Sequence, residues 1–519
     1  MTTGRSTARD GFRNKLQGFA LTHFAWFWRL VGKIGPLERL VNAFLVNNAI
    51  YKTATRPYAF STMSPYTSWD SLTDRTFSGR HLPESTEDQS SLPPVDALVE
   101  LFQRDRGTVL SDKSTLVFPY FAQWFTDGFL RTDRNDWRKN TSNHEIDLSQ
   151  LYGLNPTVTA KIRTGQGGTL KSQRIGQEEY PPYYYQGGVP KPEFALMNIS
   201  VMPGLSAERL DTLFAMGGER ANVNIGYAMM NVLFLREHNR ICGQLAKVYP
   251  QWNDERLFQT TRNILIVLLL KIVIEEYINH ITPYYYKFKL QPDTSPNQRW
   301  RRQNWMSVEF NLLYRWHGLV PDTVQLGSTT LPVEDASFNN ALITDRGLGA
   351  CYEAATLQPA GRIGMRNTPA FLLRTEKASL ELGRYVRLRS YNDYRAACQY
   401  PRVTDFDQIT GDSEIQGRLK QLYGHVDKIE FYAGLFAEDV REHSAVAPMI
   451  GRLVGVDAFS QALTNPLLSH NVYNKETFSP LGWEILHETK TLGQILARNS
   501  PAGSPAYRVS MTRDGAKIE

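Results

Sequence analysis

The residues of this chain best suited to chemistry fall in one run, Phe310-Asn311-Leu312-Leu313-Tyr314-Arg315-Trp316-His317-Gly318-Leu319-Val320-Pro321-Asp322. In it a tyrosine precedes a histidine by three positions at the end of an apolar helical pattern. Side chains at i and i+3 share a helix face, so the phenol and the imidazole are expected side by side. Imidazole is the usual axial ligand of a haem iron, and a tyrosine beside an oxidising metal can give up an electron and a proton to become a radical. Read that way, the pair is the centre of an iron-dependent oxygenase. The plainer alternative, commoner for this spacing taken alone, is that Tyr314, Trp316 and His317 close a core helix. Other catalytic templates are missing: the sequence holds no GxSxG, no GxxxxGK[ST] and no HExxH. His238 in Arg236-Glu237-His238-Asn239-Arg240 and His443 in Arg441-Glu442-His443 are flanked by charge, a setting typical of salt-bridge or packing networks.

Such residues need a scaffold, and composition supplies one. Of 519 residues, 42% are hydrophobic and 21% charged, ordinary for a globular protein with a substantial core. The three cysteines, Cys242, Cys351 and Cys398, form no CxxC, which argues against a disulfide framework or thiolate metal site and fits a reducing cytoplasm. The N-terminus lacks the uninterrupted apolar stretch of a secretory signal. The longest apolar run, Ile264 to Leu270, is far too short to span a bilayer. Residues 1–60 hold nine Arg or Lys against Asp10 and Glu38, a net +7, which leaves the remaining chain at −1 of the total +6. The basic character is therefore that of the N-terminal segment and not of a nucleic-acid surface.

Along the chain, residues 1–20 read as a flexible basic tail. Leu21, Phe24, Phe27, Trp28 and Val31, then Leu37, Leu40, Val41, Phe44 and Leu45, recur at helical spacing, and Gly32, Gly35 and Pro36 divide the two sets. Large aromatics on one face with Arg29, Lys33 and Arg39 among them suit helices lying in a membrane interface over residues 21–52. They equally suit an amphipathic pair packed on the body of the protein. Residues 53–95 read as an extended connector. Helices are expected over Asp96 to Arg104 and Leu116 to Phe129, and Gly165 to Pro192 reads as irregular or hairpin-like. The longest helical patterns are Ile225 to Val248, Asn253 to Phe288 with a break near Pro283, and Trp300 to Trp316. Further helices are expected around 335–358, 368–385, 412–423 and 455–463. The fold class is mainly α, with one catalytic domain over 53–519.

Several motifs in order carry a resemblance. They are Leu21-Thr22-His23-Phe24; Phe121-Ala122-Gln123-Trp124-Phe125-Thr126-Asp127; Ile146-Asp147-Leu148-Ser149-Gln150-Leu151-Tyr152-Gly153; Leu235 to Arg240; Leu257-Phe258-Gln259-Thr260-Thr261-Arg262; and Lys271 to Tyr277. The opening run, Ala360-Gly361-Arg362-Ile363-Gly364, and Glu430-Phe431-Tyr432 complete the set. From about Leu21 to about Met511 the chain resembles the animal-type haem peroxidase superfamily, and within it the cyclooxygenases and their bacterial fatty-acid dioxygenase relatives. The resemblance implies a helical haem peroxidase-like domain behind monotopic membrane helices. It makes His317 the proximal ligand of a haem iron, Tyr314 the radical tyrosine, and Gln123 the distal glutamine. Tyr277 and Tyr284 become residues of the fatty-acid channel, with Tyr284 at its mouth, and Asn392 and Tyr432 fall on the proximal side.

Departures from that pattern matter as much. Asp127 stands where the family has its distal histidine, the group that relays a peroxide proton and needs a pKa near neutrality. A carboxyl starts near ~4, so Asp127 is either a base raised by burial or merely a polar residue in a wet pocket. Arg220 resembles the distal arginine of the myeloperoxidase branch, and a helix-start salt bridge with Glu219 or another carboxylate is its alternative role. Thr126 and Val223 stand where that branch forms ester links to haem, which implies non-covalent haem b. The carboxylate-binding arginine of cyclooxygenases falls near Asn47 to Ala49, where no cation stands. Lys52, Arg56, or Tyr284 with water are the candidates to replace it. The serine acetylated by aspirin in those enzymes falls in Gly455 to Ser460, with Ser460 as one candidate and Asp457 or Ala458 as others. The cysteine-rich EGF-like module of the animal enzymes is absent, in keeping with an intracellular, bacterial-type protein.

The expectation is thus an oxidoreductase that uses haem, dioxygen and a peroxide activator to convert an unsaturated fatty acid to a hydroperoxide through a tyrosyl radical. A peroxidase of small donors is the alternative, and an inactive relative a third. Peripheral attachment to a membrane surface, homodimer formation and no nucleic-acid partner complete the expectation.

Overall fold

The computed structural model describes residues 16–51, 69, 73–294 and 296–514. The segment 1–15, Lys52 and Arg56 lie outside them. Residues 16–23 are helical, so a helix already occupies the last part of the expected tail. Helices α1 (Ala25–Val31) and α2 (Gly35–Ile50) follow, with Gly32 ending the first and Pro36 in the first turn of the second. Leu16, Phe19, Trp26, Leu30, Leu40 and Phe44 all stand exposed along this segment, Trp26 at 70% and Leu40 at 71%. Among the described residues no helix is long and apolar enough to cross a membrane.

The body is mainly helical, and its centre is α4 (Ile225–Val248), packed between α3 (Val117–Thr126) and α5 (Asp254–Ile272). Every residue of α4 from Ile225 to His238 is buried, as expected of a helix that is apolar on nearly all sides. Asn224 starts it by accepting a hydrogen bond from the Tyr227 N–H at 2.9 Å. The helix α5 continues into a π-helical segment, Val273–Ile278, and a last turn, Asn279–Ile281, and stops before Pro283, as the proline requires. Such wide turns recur at functional sites, and Tyr277 sits in this one. The strands form small antiparallel pairs, including two hairpins within 165–192, Gln173–Ile175 with Glu178–Tyr180 and Tyr185–Gln186 with Val189–Pro190.

One expected helix is much shorter than its pattern. Of 300–316, only α6 (Val308–Leu313) is helical. Residues before it are drawn into a bridge with the segment at 79, where the Gly79 N–H donates to Met306 O (2.8 Å) and the Val308 N–H to Gly79 O (3.0 Å). Those partners satisfy the backbone without a helix. Beyond α6 come α7 (Leu373–Tyr385), α8 (Phe431–Ala437) and α9 (Pro448–Leu463). Helix α6 packs on both α8 and α9, α7 on α8, and α9 on α2.

Candidate active site

The Tyr314–His317 segment is not the helical face its spacing suggests. Ser307 caps α6 by accepting from the Phe310 N–H at 3.0 Å. The helix then ends at Tyr314, which has φ −92° and ψ 12°, and His317 opens a separate 3-10 turn, His317–Leu319. The reason lies just beyond. A Cβ on Gly361 would come within 2.1 Å of Gly318 O, and one on Gly318 within 2.7 Å of Arg362 O, so two backbones meet where no side chain fits. The Asn367 amide fastens the junction by donating to Gly318 O (3.0 Å) and Arg362 O (2.8 Å).

His317 is thereby turned towards α7. Its Nδ1 lies 2.9 Å from the Glu376 carboxylate. That carboxylate is buried and also accepts from the Thr368 hydroxyl (2.7 Å) and the Tyr432 hydroxyl (2.5 Å). Burial and Glu376 push the Tyr432 phenol far above its ordinary pKa, so it stays a donor. With its proton held at Nδ1, His317 keeps the Nε2 lone pair free, and that atom makes no hydrogen bond to the described residues. The Tyr432 hydroxyl thus shares the Glu376 carboxylate with His317, whereas Asn392 is buried and donates to Val403 O (2.9 Å) and Asp427 (2.7 Å). Glu376 went unnoticed in the sequence, being one of two glutamates in an amphipathic helix.

Tyr314 turns the other way. Its ring stacks on Trp316 at 4.7 Å, and Trp316 stacks on Phe118 at 5.5 Å. Its hydroxyl is buried beside that of Tyr277. The two are close enough to perturb one another, but neither makes a hydrogen bond of ordinary geometry. Burial raises the pKa of both phenols; the Asp457 carboxylate adds to the rise at Tyr314. Asp457 is fully buried and paired with His81 Nε2 at 2.9 and 3.0 Å, a pair the sequence reading missed. Ser460, one turn further along α9, is fully buried and donates to Asp457 O at 3.3 Å. Tyr277 is enclosed by Phe118, Phe121 and Phe125. Tyr284 lies outside this cluster, 6.5 Å from Phe288, in the irregular run that faces the N-terminal helices.

The opposite wall is built by α3 and the start of α4. Gln123 is exposed on a helix whose neighbours are buried, and Asn224 donates to its Oε1 at 2.7 Å. Asp127 follows as a buried carboxylate that accepts from Arg220 (2.7 Å) and from the Tyr227 hydroxyl (2.9 Å). Arg131 bonds the Asp127 carbonyl at 3.1 Å and pairs with Glu219. Both carboxylate oxygens are therefore committed to strong donors. Arg220 is held by Asp127 instead of Glu219, yet its side chain stays 48% exposed, so an open face remains. Its pKa rises, chiefly through Asp127, and it is a permanent cation.

Arg315 ties the two walls into one site. Burial lowers its pKa, and it feels Tyr432, Arg220, Glu376 and Asp127 together. Its Nε has no hydrogen-bond partner among the described residues.

These residues fit a haem. Among the described residues no cluster of three or more His, Cys, Asp or Glu could hold a bare metal ion. A haem brings four nitrogens of its own and asks the protein for one ligand, which His317 Nε2 can be. Arg315 and the open face of Arg220 are cations suited to the carboxylates that a haem carries.

The pattern of the family described as "Animal haem peroxidase" matches residues 111–510. The sequence is 32% identical over 495 residues to prostaglandin G/H synthase 2 of Gallus gallus, an overlap of 93% of this chain and 80% of that one. It is 32% identical over 496 residues to prostaglandin G/H synthase 1 of Rattus norvegicus, again 93% and 80%. In fold it is similar to the fatty acid alpha-dioxygenase of Oryza sativa, with TM-score 0.68, 15% identity and coverage of 95% and 96%. Peroxidase A from Dictyostelium discoideum is similar too, with TM-score 0.66, 19% identity and coverage of 89% and 97%.

Proposed function

The chain belongs to the animal haem peroxidase family and is an oxidoreductase, and on that premise we propose that it is a fatty-acid dioxygenase working through a radical on Tyr314. One observation carries the reading. Among the described residues the Tyr314 hydroxyl is buried, unbonded and beside that of Tyr277, while both carboxylate oxygens of Asp127 are held by Arg220 and Tyr227. His317 would hold a non-covalent haem b, which would supply the one-electron oxidant for the Tyr314 phenol.

The chain's own residues do the rest. The phenoxyl oxygen takes a hydrogen atom from an allylic or bis-allylic carbon of an unsaturated fatty acid, which restores the phenol and leaves a carbon radical. Dioxygen adds to that carbon. The resulting peroxyl radical takes the hydrogen back from Tyr314, so a hydroperoxide leaves and the phenoxyl radical is regenerated. Tyr277 borders the radical hydroxyl, and the aromatic enclosure keeps water from it. Peroxide is needed only to start the cycle. A distal wall without a free base suffices for that, because Gln123 and the open face of Arg220 can still polarise a bound peroxide. The exposed apolar face of residues 16–51, ringed by Arg29, Lys33 and Arg39, supports peripheral attachment to a membrane from which the lipid enters.

The test is Tyr314→Phe in haem-loaded protein. Oxygen uptake with linoleate should vanish while the Soret band is unchanged, and uptake at the wild-type rate would sink the mechanism. A peroxidase of small donors is the second reading, favoured by the exposure of Arg220. Rapid, stoichiometric oxidation by hydrogen peroxide in stopped-flow spectra, with fast donor turnover and no lipid oxidation, would select it.

A further inference from the structure

Among the described residues Arg452 is a cation without a counter-charge. It lies in the first turns of α9 and is half-buried. Its guanidinium sits 4.6 Å over the Tyr400 ring. The buried Nη1 has no hydrogen-bond partner, and the guanidinium makes no ion pair among the described residues. The carboxylates of its neighbourhood are already engaged: Glu438 accepts from Arg395, Tyr391 and the Met449 N–H, and Asp457 is paired with His81. A buried N–H donor left unbonded is costly in a stable fold, and sites that take a ligand are where such groups are tolerated.

Its surroundings point to the ligand. Burial raises the pKa of the Tyr284 phenol, as does Tyr400, and Arg452 and then Arg441 oppose that rise, so all four lie together. The run after Tyr284 lies against the N-terminal helices: the Tyr285 N–H donates to Leu21 O (3.0 Å) and Trp28 meets Tyr286 edge-on at 5.6 Å. Gln399, next to Tyr400, reaches Tyr51 O at the end of α2 at 3.5 Å. Arg452 therefore sits where the exposed apolar segment joins the body. From there an aromatic wall, Tyr284, Phe288 and Phe459, leads along α9. It ends at the turn holding Asp457 and Ser460, beside Tyr314 and α6.

We propose that Arg452 is the carboxylate anchor for the fatty acid, with the Tyr284 hydroxyl as a second donor, and that it fixes hydrogen removal at mid-chain. The proposal rests on the fatty-acid reading above. It assigns the role to α9, since α2 carries no cation at Asn47 to Ala49. From Arg452 to Ser460 is eight residues, about 12 Å of helix rise. With C–C bonds of about 1.5 Å, that spans roughly eight to ten carbons of extended chain. A carboxylate held there cannot bring the carbon next to it up to Tyr314. A guanidinium can grip both carboxylate oxygens, and the low-polarity wall strengthens the bond. Arg441 is exposed to solvent, where such a pair is worth little.

The experiment uses haem-loaded protein and compares binding of palmitate, which has no allylic hydrogen, with that of methyl palmitate by titration calorimetry in dilute detergent. The wild type should prefer the acid by about tenfold or more, the size expected for hydrogen bonds to a charged group. Arg452→Gln should lose that preference, Arg452→Lys should keep part of it, and Arg441→Gln should leave it intact. With linoleate, Arg452→Gln should raise KM while kcat changes little, and wild-type product should carry its hydroperoxide at mid-chain. An undiminished preference for the acid in Arg452→Gln overturns the anchor while the dioxygenase reading stands. So does equal wild-type affinity for acid and ester, or a hydroperoxide on the carbon adjoining the carboxyl group. A wild-type protein that binds neither lipid overturns both. Arg452→Lys guards against a folding defect in the glutamine variant, as does an unchanged Soret spectrum.

Discussion

Glu376 offers the most direct control over His317, and Glu376→Gln is nearly isosteric. In the parent, the carboxylate accepts from His317 Nδ1 (2.9 Å), Thr368 (2.7 Å) and Tyr432 (2.5 Å). The amide oxygen of glutamine can still accept from His317 and Thr368. Its NH2 would then face the Tyr432 hydroxyl, donor to donor, until that hydroxyl rotates away. Bonds to a charged group contribute about 1.5–3 kcal/mol and are roughly twice as strong as neutral ones, so losing the charge costs the His317 bond about 1 kcal/mol. Re-pairing Tyr432 costs about as much again. Together, about 2 kcal/mol corresponds to roughly 30-fold weaker haem binding, within the 10–100-fold typical for partners that orient a metal ligand. The assay is competitive transfer of haem from each variant to a scavenging apo-globin, followed at the Soret band. The reduction potential should rise as well, because the imidazole loses the anion that enriches it. Haem transfer at the wild-type rate together with an unshifted potential would refute Glu376 as the group that prepares His317.

Asp127→Asn should change peroxidase turnover of a small phenolic donor by less than about threefold, because a carboxylate committed to Arg220 and Tyr227 moves no proton. A fall of the ~10²-fold or more that general acid–base catalysis contributes would show that it does. His144 and His238 are held neutral by burial, each lowered to about 4. Below about pH 6.5 the unfolded chain protonates these histidines and the folded one does not, so stability falls from pH 6.5 to about 4 and then levels off. Between pH 7 and 5 each should cost about 2 kcal/mol. Urea unfolding of His144→Gln should show about half the acid loss assigned to the pair, and an unchanged pH slope would count against it. Replacing Trp26, Leu40 and Phe44 together by serine should abolish sedimentation with phospholipid vesicles at an unaltered melting temperature, since these side chains are 70, 71 and 64% exposed. Retained vesicle binding would exclude that face as the attachment surface.

What the sequence alone determined is whatever is encoded locally or in ordered motifs. Ile225 to Val248 was legible to the residue as a helix because it is one of the longest helical patterns in the chain. The Gly, Pro and Tyr content of 165–192 left irregular and hairpin-like structure open, and two hairpins form there. The candidate pair Tyr314 and His317 and the family stood in short motifs that need no tertiary information. The tertiary structure decided how these groups are held. The Tyr314–His317 spacing suggests one helix face, but backbone contact at Gly318 and Gly361 breaks the helix and sends the two side chains to different neighbours. Glu376 is 59 positions from His317, and His81 is 376 from Asp457. No periodicity records contacts made by closing so long a loop. Asp127 was left between a base and an idle polar group, and the choice depended on Arg220 and Tyr227 arriving from another helix. Arg452 gave no signal at all, because a lone arginine in a sequence looks the same whether it has a partner or lacks one. Only packing shows which carboxylates are already taken.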